Sequence, residues 1–290
     1  MRRILGGTLA ASLIVITLTT PAYAASSRHE QTSIVSTDTS KSVSVSCGPT
    51  KFLAGMGARV NGGNGMVALT GVVPTTAMTA VTAHAEARVS FTAPWSLTVF
   101  AVCIDSPWYV EIVTSPAAPG SSVATATCPA PKVVFSGGFL LPQPTGGGYL
   151  TGLVPSVGLS SVTVTAGGTV SSQPGPIAVA LCGMYAGWAR TSGTSSIDTA
   201  ASKSAFAGLP VGADPRDTYI VGAGARIIGE GALIDAFTPL AGFDGAMAHA
   251  ARIAGGQLAK SGPAAAVTES GDWGVACYGN AIGAWYGAPA

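Results

Sequence analysis

The sequence repeats one pattern of segments three times, with a period of about 75–80 residues. In each copy a Ser- and Thr-rich segment precedes a glycine-containing segment, which reads CGPTKFLAGMGARV, CPAPKVVFSGGFLL or TYIVGAGARI. A segment ending in proline follows, as ALTGVVP, YLTGLVP or LIDAFTP, and the closing segment is placed to end at Cys103, Cys182 or Cys277. Self-similarity on this scale predicts either a threefold arrangement or a tandem array.

Alternation of polar and apolar residues predicts strands. The segments SVSVSC, SVATATC and SVTVTA alternate, and Gly, Pro, Asn or Ser interrupts the chain about every 8–12 residues. Only 9% of the residues are charged, so Ser, Thr and Gly have to face water, which suits strands with short turns. The Ala-rich segment from Gly242 to Lys260 could form a helix, but Gly255 and Gly256 would break it and the corresponding segments favour strands. We therefore expect an all-β fold.

Part of the pattern resembles a repeat of actinobacterial secreted proteins of unassigned function. The residues that carry this resemblance are Cys128-Pro129, Lys132, Gly137-Gly138 and the run from Trp95 to Cys103. The chain also has a distant resemblance to vitelline membrane outer layer protein I, whose three internal repeats each form a Greek-key sheet. That resemblance implies a threefold β-prism and carries over no functional residue. The alternative is three tandem β-sandwich modules.

The first 24 residues have the pattern of a secretory signal peptide. Arg2 and Arg3 precede an apolar run, and Ala22-Tyr23-Ala24 is a small-x-small cleavage site. We expect a secreted, extracellular protein without stable membrane insertion, since no later segment has about 20 continuous apolar residues. One domain with a shared core is favoured, because a single repeat is small for a core of its own. The predicted divisions are 1–24 (signal peptide), 25–31 (flexible lead), 32–108, 109–185 and 186–290 (repeats one to three).

The charge of the chain excludes nucleic acid as a partner. The sequence has 14 basic and 13 acidic residues, and removal of Arg2 and Arg3 leaves 12 basic residues and a net charge near −1. Binding of nucleic acid or of an anionic membrane requires clustered Lys and Arg, and the sequence has no such cluster.

The five cysteines fit the repeat pattern. We predict the disulfides Cys47–Cys103 and Cys128–Cys182, because each pair brackets one repeat and secreted chains favour disulfides. Each would stabilise the fold by roughly 4 kcal/mol on a chain-entropy estimate. Leu209 takes the place of the opening cysteine of repeat three, which leaves Cys277 as a free thiol, either buried or reactive. No metal site is predicted, because no C-x-x-C pair or Cys/His cluster occurs.

The glycines of the repeated strands are predicted to be structural. In the three copies the corresponding pairs are Gly55 and Gly57, Ser136 and Gly138, and Gly222 and Gly224. Glycines two apart lie on one face of a strand and permit close approach of another backbone. A dinucleotide site would need a third glycine and a following helix, which the pattern does not provide. We expect these glycines to let the sheets pack near a shared axis.

The candidate site residues fall into two sets. The aromatic residues that follow the closing segments, Trp108, Trp188 and Trp285, are candidates for ligand stacking, with packing as the alternative. The polar candidates are His84, Arg88, His249 and Arg252, which occur at matching places in AHAEAR and AHAAR; the alternative is a solvated strand face.

The scarcity of acid–base residues favours a binding protein over an enzyme. We predict a secreted, non-catalytic β-repeat protein that binds glycan or protein at the cell surface or matrix, with no catalytic residue and no cofactor. One alternative is a glycan hydrolase, and another is a structural coat protein; the oligomeric state stays open. The hydrolase would use carboxylates of repeat three, which are Asp214, Asp217, Glu230, Asp235, Asp244, Glu269 and Asp272.

Overall fold

The protein is all-β, as expected. The computed structural model describes residues 26–88, 90–105, 109–142, 148–168, 175–184, 188–210, 212–213, 218–253 and 274–283. Within these ranges the structure has 18 strands and no helix, and each repeat supplies six strands.

The strand bounds follow the repeats. Repeat one contains β1 (Ser27–Thr32), β2 (Ser40–Ser46), β3 (Phe52–Asn61), β4 (Val67–Pro74), β5 (Ala80–Ala87) and β6 (Ser96–Ile104). Repeat two contains β7 (Glu111–Pro116), β8 (Val123–Thr127), β9 (Val133–Leu140), β10 (Tyr149–Pro155), β11 (Ser161–Gly167) and β12 (Ile177–Gly183). Repeat three contains β13 (Trp188–Thr194), β14 (Ser202–Gly208), β15 (Thr218–Ile228), β16 (Ala232–Pro239), β17 (Gly245–Arg252) and β18 (Gly274–Gly283).

The described strands form three six-stranded antiparallel sheets, which confirms the expected three-sheet fold. Sheet I has the order β1-β6-β3-β16-β17-β14, sheet II has β2-β5-β4-β9-β12-β7, and sheet III has β13-β18-β15-β10-β11-β8. Each repeat gives its first, sixth and third strands to one sheet and its second, fifth and fourth strands to the next. This allocation differs from the single sheet per repeat that the resemblance implied. Every sheet is therefore shared by two repeats.

Three equivalent junctions join the repeats inside the sheets. Strand β3 pairs with β16, β4 pairs with β9, and β10 pairs with β15, each over two residue pairs. The two strands of each junction come from different repeats, and the three junctions together link the repeats in a closed ring.

The paired glycines let three strands meet at the centre of this ring, as predicted. A Cβ atom at Gly55 on β3 would overlap a backbone carbonyl of β15, and one at Gly222 on β15 would overlap a backbone carbonyl of β9. The circle closes at β9, where the Oγ of Ser136 accepts a hydrogen bond from the N–H of Met56 at 3.1 Å. Since these contacts leave no room for a side chain, the glycines are structural residues of the axis.

One hydrophobic cluster spans all three repeats and includes Leu53, Phe135 and Phe237, each of them fully buried. The expected flexible lead over 25–31 needs correction, because Ser27–Thr32 forms β1 and pairs with β6 along its whole length. Repeat one therefore begins earlier than the predicted boundary at residue 32.

Both predicted disulfides are present, and Cys277 is free and buried. The reason given for the free thiol was wrong, however, because Cys277 does not end the closing strand. Cys103 pairs across from Leu53 just before the bulge of β3, and the residue at that place in β18 is Ala281, which pairs with Ile220 before the bulge of β15. Repeat three has thus lost both cysteines of its disulfide.

The Ala-rich segment is a strand, β17, as its correspondence with the other repeats indicated; its residues beyond 253 lie outside the described residues. In the described part of the chain, no helix is long and apolar enough to cross a membrane. The signal-peptide prediction concerns residues that the structure does not describe.

Candidate functional site

Two of the three sheets carry an exposed arginine at the centre of their outer face. Arg59 on β3 and Arg226 on β15 are the only exposed residues of these two strands. They occupy equivalent positions, since Arg59 pairs across from Ala236 and Arg226 from Gly152 at the junctions. The equivalent residue of sheet II is Leu140. Sheets I and III are therefore cationic where sheet II is apolar.

Each arginine lies next to a bulge of the neighbouring repeat. The bulges of β4, β10 and β16 displace one residue from the ladder, and these residues are Thr70, Thr151 and Asp235. Each bulged residue lies next to the strand that follows its own strand in the sequence, which is β5, β11 or β17. A change from threonine to aspartate at this place therefore puts a carboxylate next to β17 in sheet I alone.

A groove with a volume of about 600 Å³ lies on the outer face of sheet III. It runs between β10, β11 and the turn from β15 to β16, and its polar lining consists of Tyr149, Thr151, Thr163, Thr165, Arg226 and Glu230. Volumes of this size accommodate small ligands. We call it the sheet III groove.

A glycine opens this groove. Gly152 pairs with Thr165 on one side and with Arg226 on the other, so two polar side chains face each other across a residue without a side chain. On sheet II both sides of the same gap are close, because Leu140 lies 3.0 Å and His84 lies 3.3 Å from the place a Cβ of Gly71 would take. On sheet III Thr165 is as close to Gly152 as His84 is to Gly71, at 3.3 Å, but Arg226 is not among the nearest atoms, so the gap is open on the Arg226 side.

Three polar groups of the sheet III groove are available for a ligand, those of Arg226, Glu230 and Thr165. Thr151 donates its hydroxyl hydrogen to the carbonyl of Thr165 at 3.1 Å. Arg226 and Glu230 are exposed, and within the described ranges neither they nor the Thr165 hydroxyl has a hydrogen-bond partner. The guanidinium of Arg226, the carboxylate of Glu230 and the hydroxyl of Thr165 therefore converge on the groove.

Sheet I holds a histidine–aspartate pair at the equivalent place. The Nδ1–H of His249 donates to Oδ1 of Asp235 at 2.5 Å, and the Asp235 side chain is 8% exposed while that of His249 is 34% exposed. His249 pairs across from Ser204 on β14 and from Ala236 on β16. The bulge at Asp235 is what brings the carboxylate to the imidazole.

The two predicted histidines occupy equivalent positions but have opposite environments. The hydrogen bond that His249 donates to Asp235 raises the pKa of His249 above its ordinary value, and burial opposes this only in part. His84 on sheet II has Thr70 in place of the aspartate, and burial lowers its pKa. The sequence match of the histidines is confirmed, whereas their chemistry differs because of one neighbouring residue.

The two arginines of that sequence match are not equivalent. The N–H of Arg252 bonds to the carbonyl of Ala201, as the N–H of Ala87 does to Thr39. Arg88 lies one residue further along, beyond the end of β5. The structure therefore does not bring the four polar candidates together as two copies of one site.

The tryptophan candidates stay predictions. Trp108 and Trp285 lie outside the described residues, and Trp188 is placed only by its backbone, as the first residue of β13, where it pairs with Ile282. Of the repeat-three carboxylates, Asp214, Asp217, Glu269 and Asp272 also lie outside the described residues. Glu230 lines the sheet III groove and Asp235 binds His249, whereas the backbone carbonyl of Asp244 accepts a hydrogen bond from the N–H of Leu209.

Sequence analysis missed Arg59, Thr165 and Arg226. A signal was present, because an arginine interrupts each of the otherwise apolar runs GMGARV and GAGARI two residues after the second glycine. The residues that the arginines face come from other repeats, so only the sheet register could pair them.

Comparison of the chain with protein-family models and with curated proteins gives no match.

Proposed function

We propose that the protein is a secreted, non-catalytic binding protein that takes a hydroxyl-rich glycan in the sheet III groove. The observation that carries this proposal is the convergence of Arg226, Glu230 and Thr165 on an open groove of about 600 Å³. None of these three groups has a hydrogen-bond partner among the described residues, so a ligand would provide partners for all of them.

The chemistry of these groups suits a sugar. A guanidinium offers several donors in a fixed plane, a carboxylate offers only acceptors, and a hydroxyl offers both. Neighbouring hydroxyls of a saccharide are donors and acceptors at once, so they can satisfy Arg226 and Glu230 together. Tyr149 is largely buried and forms a wall beside them.

Binding is favoured over hydrolysis by the number of carboxylates. Glycosidases use a pair of carboxyl groups that flank the scissile bond. Among the described residues that line the groove, Glu230 is the only carboxylate, and Asp235 on sheet I is engaged by His249. This distribution supports a groove that holds a glycan without cleaving it.

Secretion is supported by the two disulfides, which indicate an oxidising environment. The signal-peptide pattern of residues 1–24 supports the same proposal. A glycan ligand of a secreted protein would belong to a cell surface or matrix.

The proposal is tested with the mature chain on a glycan array, followed by calorimetry with the best neutral glycan. Arg226→Gln removes a charged donor, so we expect affinity to fall about 10- to 100-fold. The matched control is Arg59→Gln, which changes the same residue type at the equivalent position of sheet I and should leave neutral-glycan affinity unchanged. The proposal fails if no glycan binds, or if Arg226→Gln folds normally and binds as tightly as the wild type.

A further inference from the structure

The outer face of sheet I is the structural counterpart of the sheet III groove, with different chemistry. Arg59 corresponds to Arg226, and His249 and Asp235 stand where sheet III has Thr165 and Thr151. Arg59 and His249 flank Ala236 in one row of the sheet. A small residue thus separates a fixed cation from a histidine whose Nδ1 is already bound.

We propose that this row of sheet I is a second binding site, for the carboxylate of an acidic glycan, and that it accepts the carboxylate when His249 is protonated. The proposal rests on the proposed function only for the glycan nature of the ligand, because the anion is recognised by residues that are not part of the sheet III groove.

The hydrogen bond to Asp235 determines what His249 can offer. In the neutral imidazole the single N–H is at Nδ1 and points at the carboxylate, so Nε2 presents a lone pair and repels an anion. Protonation adds a hydrogen at Nε2, which then becomes a donor in the same row as Arg59, across Ala236. Nε2 has no hydrogen-bond partner within the described ranges, and the side chain is one-third exposed, so a ligand can reach it.

The charged groups around His249 support this reading. Strand β16 contributes Asp235, and β3 contributes Arg59 across Ala236. Strand β14 places the neutral Ser204 opposite the histidine, while its Lys203 lies on the buried side and pairs with Asp198.

Along β17 itself the nearest charge is Arg252, three residues further on. With the Asp235 carboxylate and the Arg59 guanidinium both charged, the local charge is near zero when His249 is neutral. It becomes positive when the histidine gains a proton. The hydrogen bond to Asp235 also holds the pKa of His249 above its ordinary value, so His249 gains its proton at a higher pH than an ordinary histidine.

The test uses a short oligogalacturonide as the probe and its methyl ester as the uncharged match. Binding to the mature chain is measured at about pH 5 and about pH 8. We expect the acid probe to bind at least about tenfold more tightly at the lower pH, since a hydrogen bond to a charged group is worth about 1.5–3 kcal/mol. His249→Gln should remove the pH dependence, and Arg59→Gln should weaken binding at both pH values.

The matched control is His84→Gln, at the equivalent position of sheet II, which should behave as the wild type. As a second measurement, NMR titration of the wild-type imidazoles should show that the probe raises the pKa of His249 and not that of His84. Equal binding of the methyl ester, or pH dependence that persists in His249→Gln, would overturn the proposal. Binding of the acid probe by Arg226→Gln would separate this site from the sheet III groove.

Discussion

Repeats one and two differ from repeat three at two places: at the disulfide and at the central axis. In the first two repeats a disulfide ties the end of the second strand to the closing strand, whereas repeat three has Leu209 and Ala281 there. At the axis the first two repeats place Val102 and Leu181 opposite the bulge of the glycine strand, and repeat three places Asn280.

This difference shows that the shared sheets can hold a repeat without its own crosslink. Repeat three contributes half of sheet I and half of sheet III, and its neighbours cover the edges that would otherwise be open. Both candidate sites lie on these two sheets. The repeat that departs most from the pattern is therefore the one that supplies Asp235, His249, Arg226 and Glu230.

A substitution at the axis should cause the largest loss of stability. Gly55→Ala would place a Cβ onto a backbone carbonyl of β15, which cannot move without disturbing the ring. We expect the free energy of unfolding to fall by about 4 kcal/mol or more. Gly158→Ala is the control, because a Cβ there meets no atom within 4 Å. Equal stability of the two variants in urea unfolding would show that the axis is not closely packed.

Restoring the third crosslink would make repeat three like the other two. Leu209→Cys with Ala281→Cys, in a Cys277→Val background, should form a disulfide because the two positions match Cys47 and Cys103 in register. We expect oxidation to add up to roughly 4 kcal/mol to the free energy of unfolding. Comparison of oxidised and reduced protein in urea measures the gain. A pair that does not oxidise would contradict the register assigned to β18.

The smallest effect concerns the histidines. Because the pKa of His249 is raised, its pair with Asp235 stabilises the fold below about pH 6.5 and loses this effect as the pH rises through the folded pKa. Asp235→Thr, the residue type of the other bulges, should therefore destabilise by less than about 1 kcal/mol, and mainly in acid.

The effect of His84 on the pH dependence of stability should have the opposite sign. Its pKa is lowered, so the folded state resists its protonation and loses stability as the pH falls below about 6.5. His84→Gln should therefore make the protein more stable in acid and leave it unchanged in alkali. Unfolding in urea across this pH range measures both variants, and pH profiles of the same sign would refute the assigned environments.

The strands and the disulfides could be predicted from sequence because both depend on local patterns. Alternation located β2, β8 and β11, and the near-equal spacing of Cys47–Cys103 and Cys128–Cys182 gave the correct pairs. The single cysteine of the last strand misled the alignment. Aligning WSLTVFAVC with WGVACYGNA by their tryptophans would have put Ala281, and not Cys277, in the position that corresponds to Cys103.

The sites could not be predicted in the same way, because their residues meet only through the shared sheets. Arg226 and Thr165 belong to different repeats and face each other because Gly152 lies between them at a junction of two residue pairs. Asp235 occupies the position in β16 that Thr70 occupies in β4, and the sequence shows only the change of residue type. Its role depends on a bulge, which the alternation of side chains does not reveal.

The two-residue-pair junctions have a consequence for how such a chain could have arisen. A polypeptide with one repeat would form two half-sheets, each with an open edge at the strand equivalent to β3 or β4. Open edges drive association with further strands. Each copy could satisfy its edges by joining a second copy at one and a third copy at the other, as the three repeats do here. Three identical chains would close the ring, so a symmetric homotrimer is the simplest ancestor of this single chain.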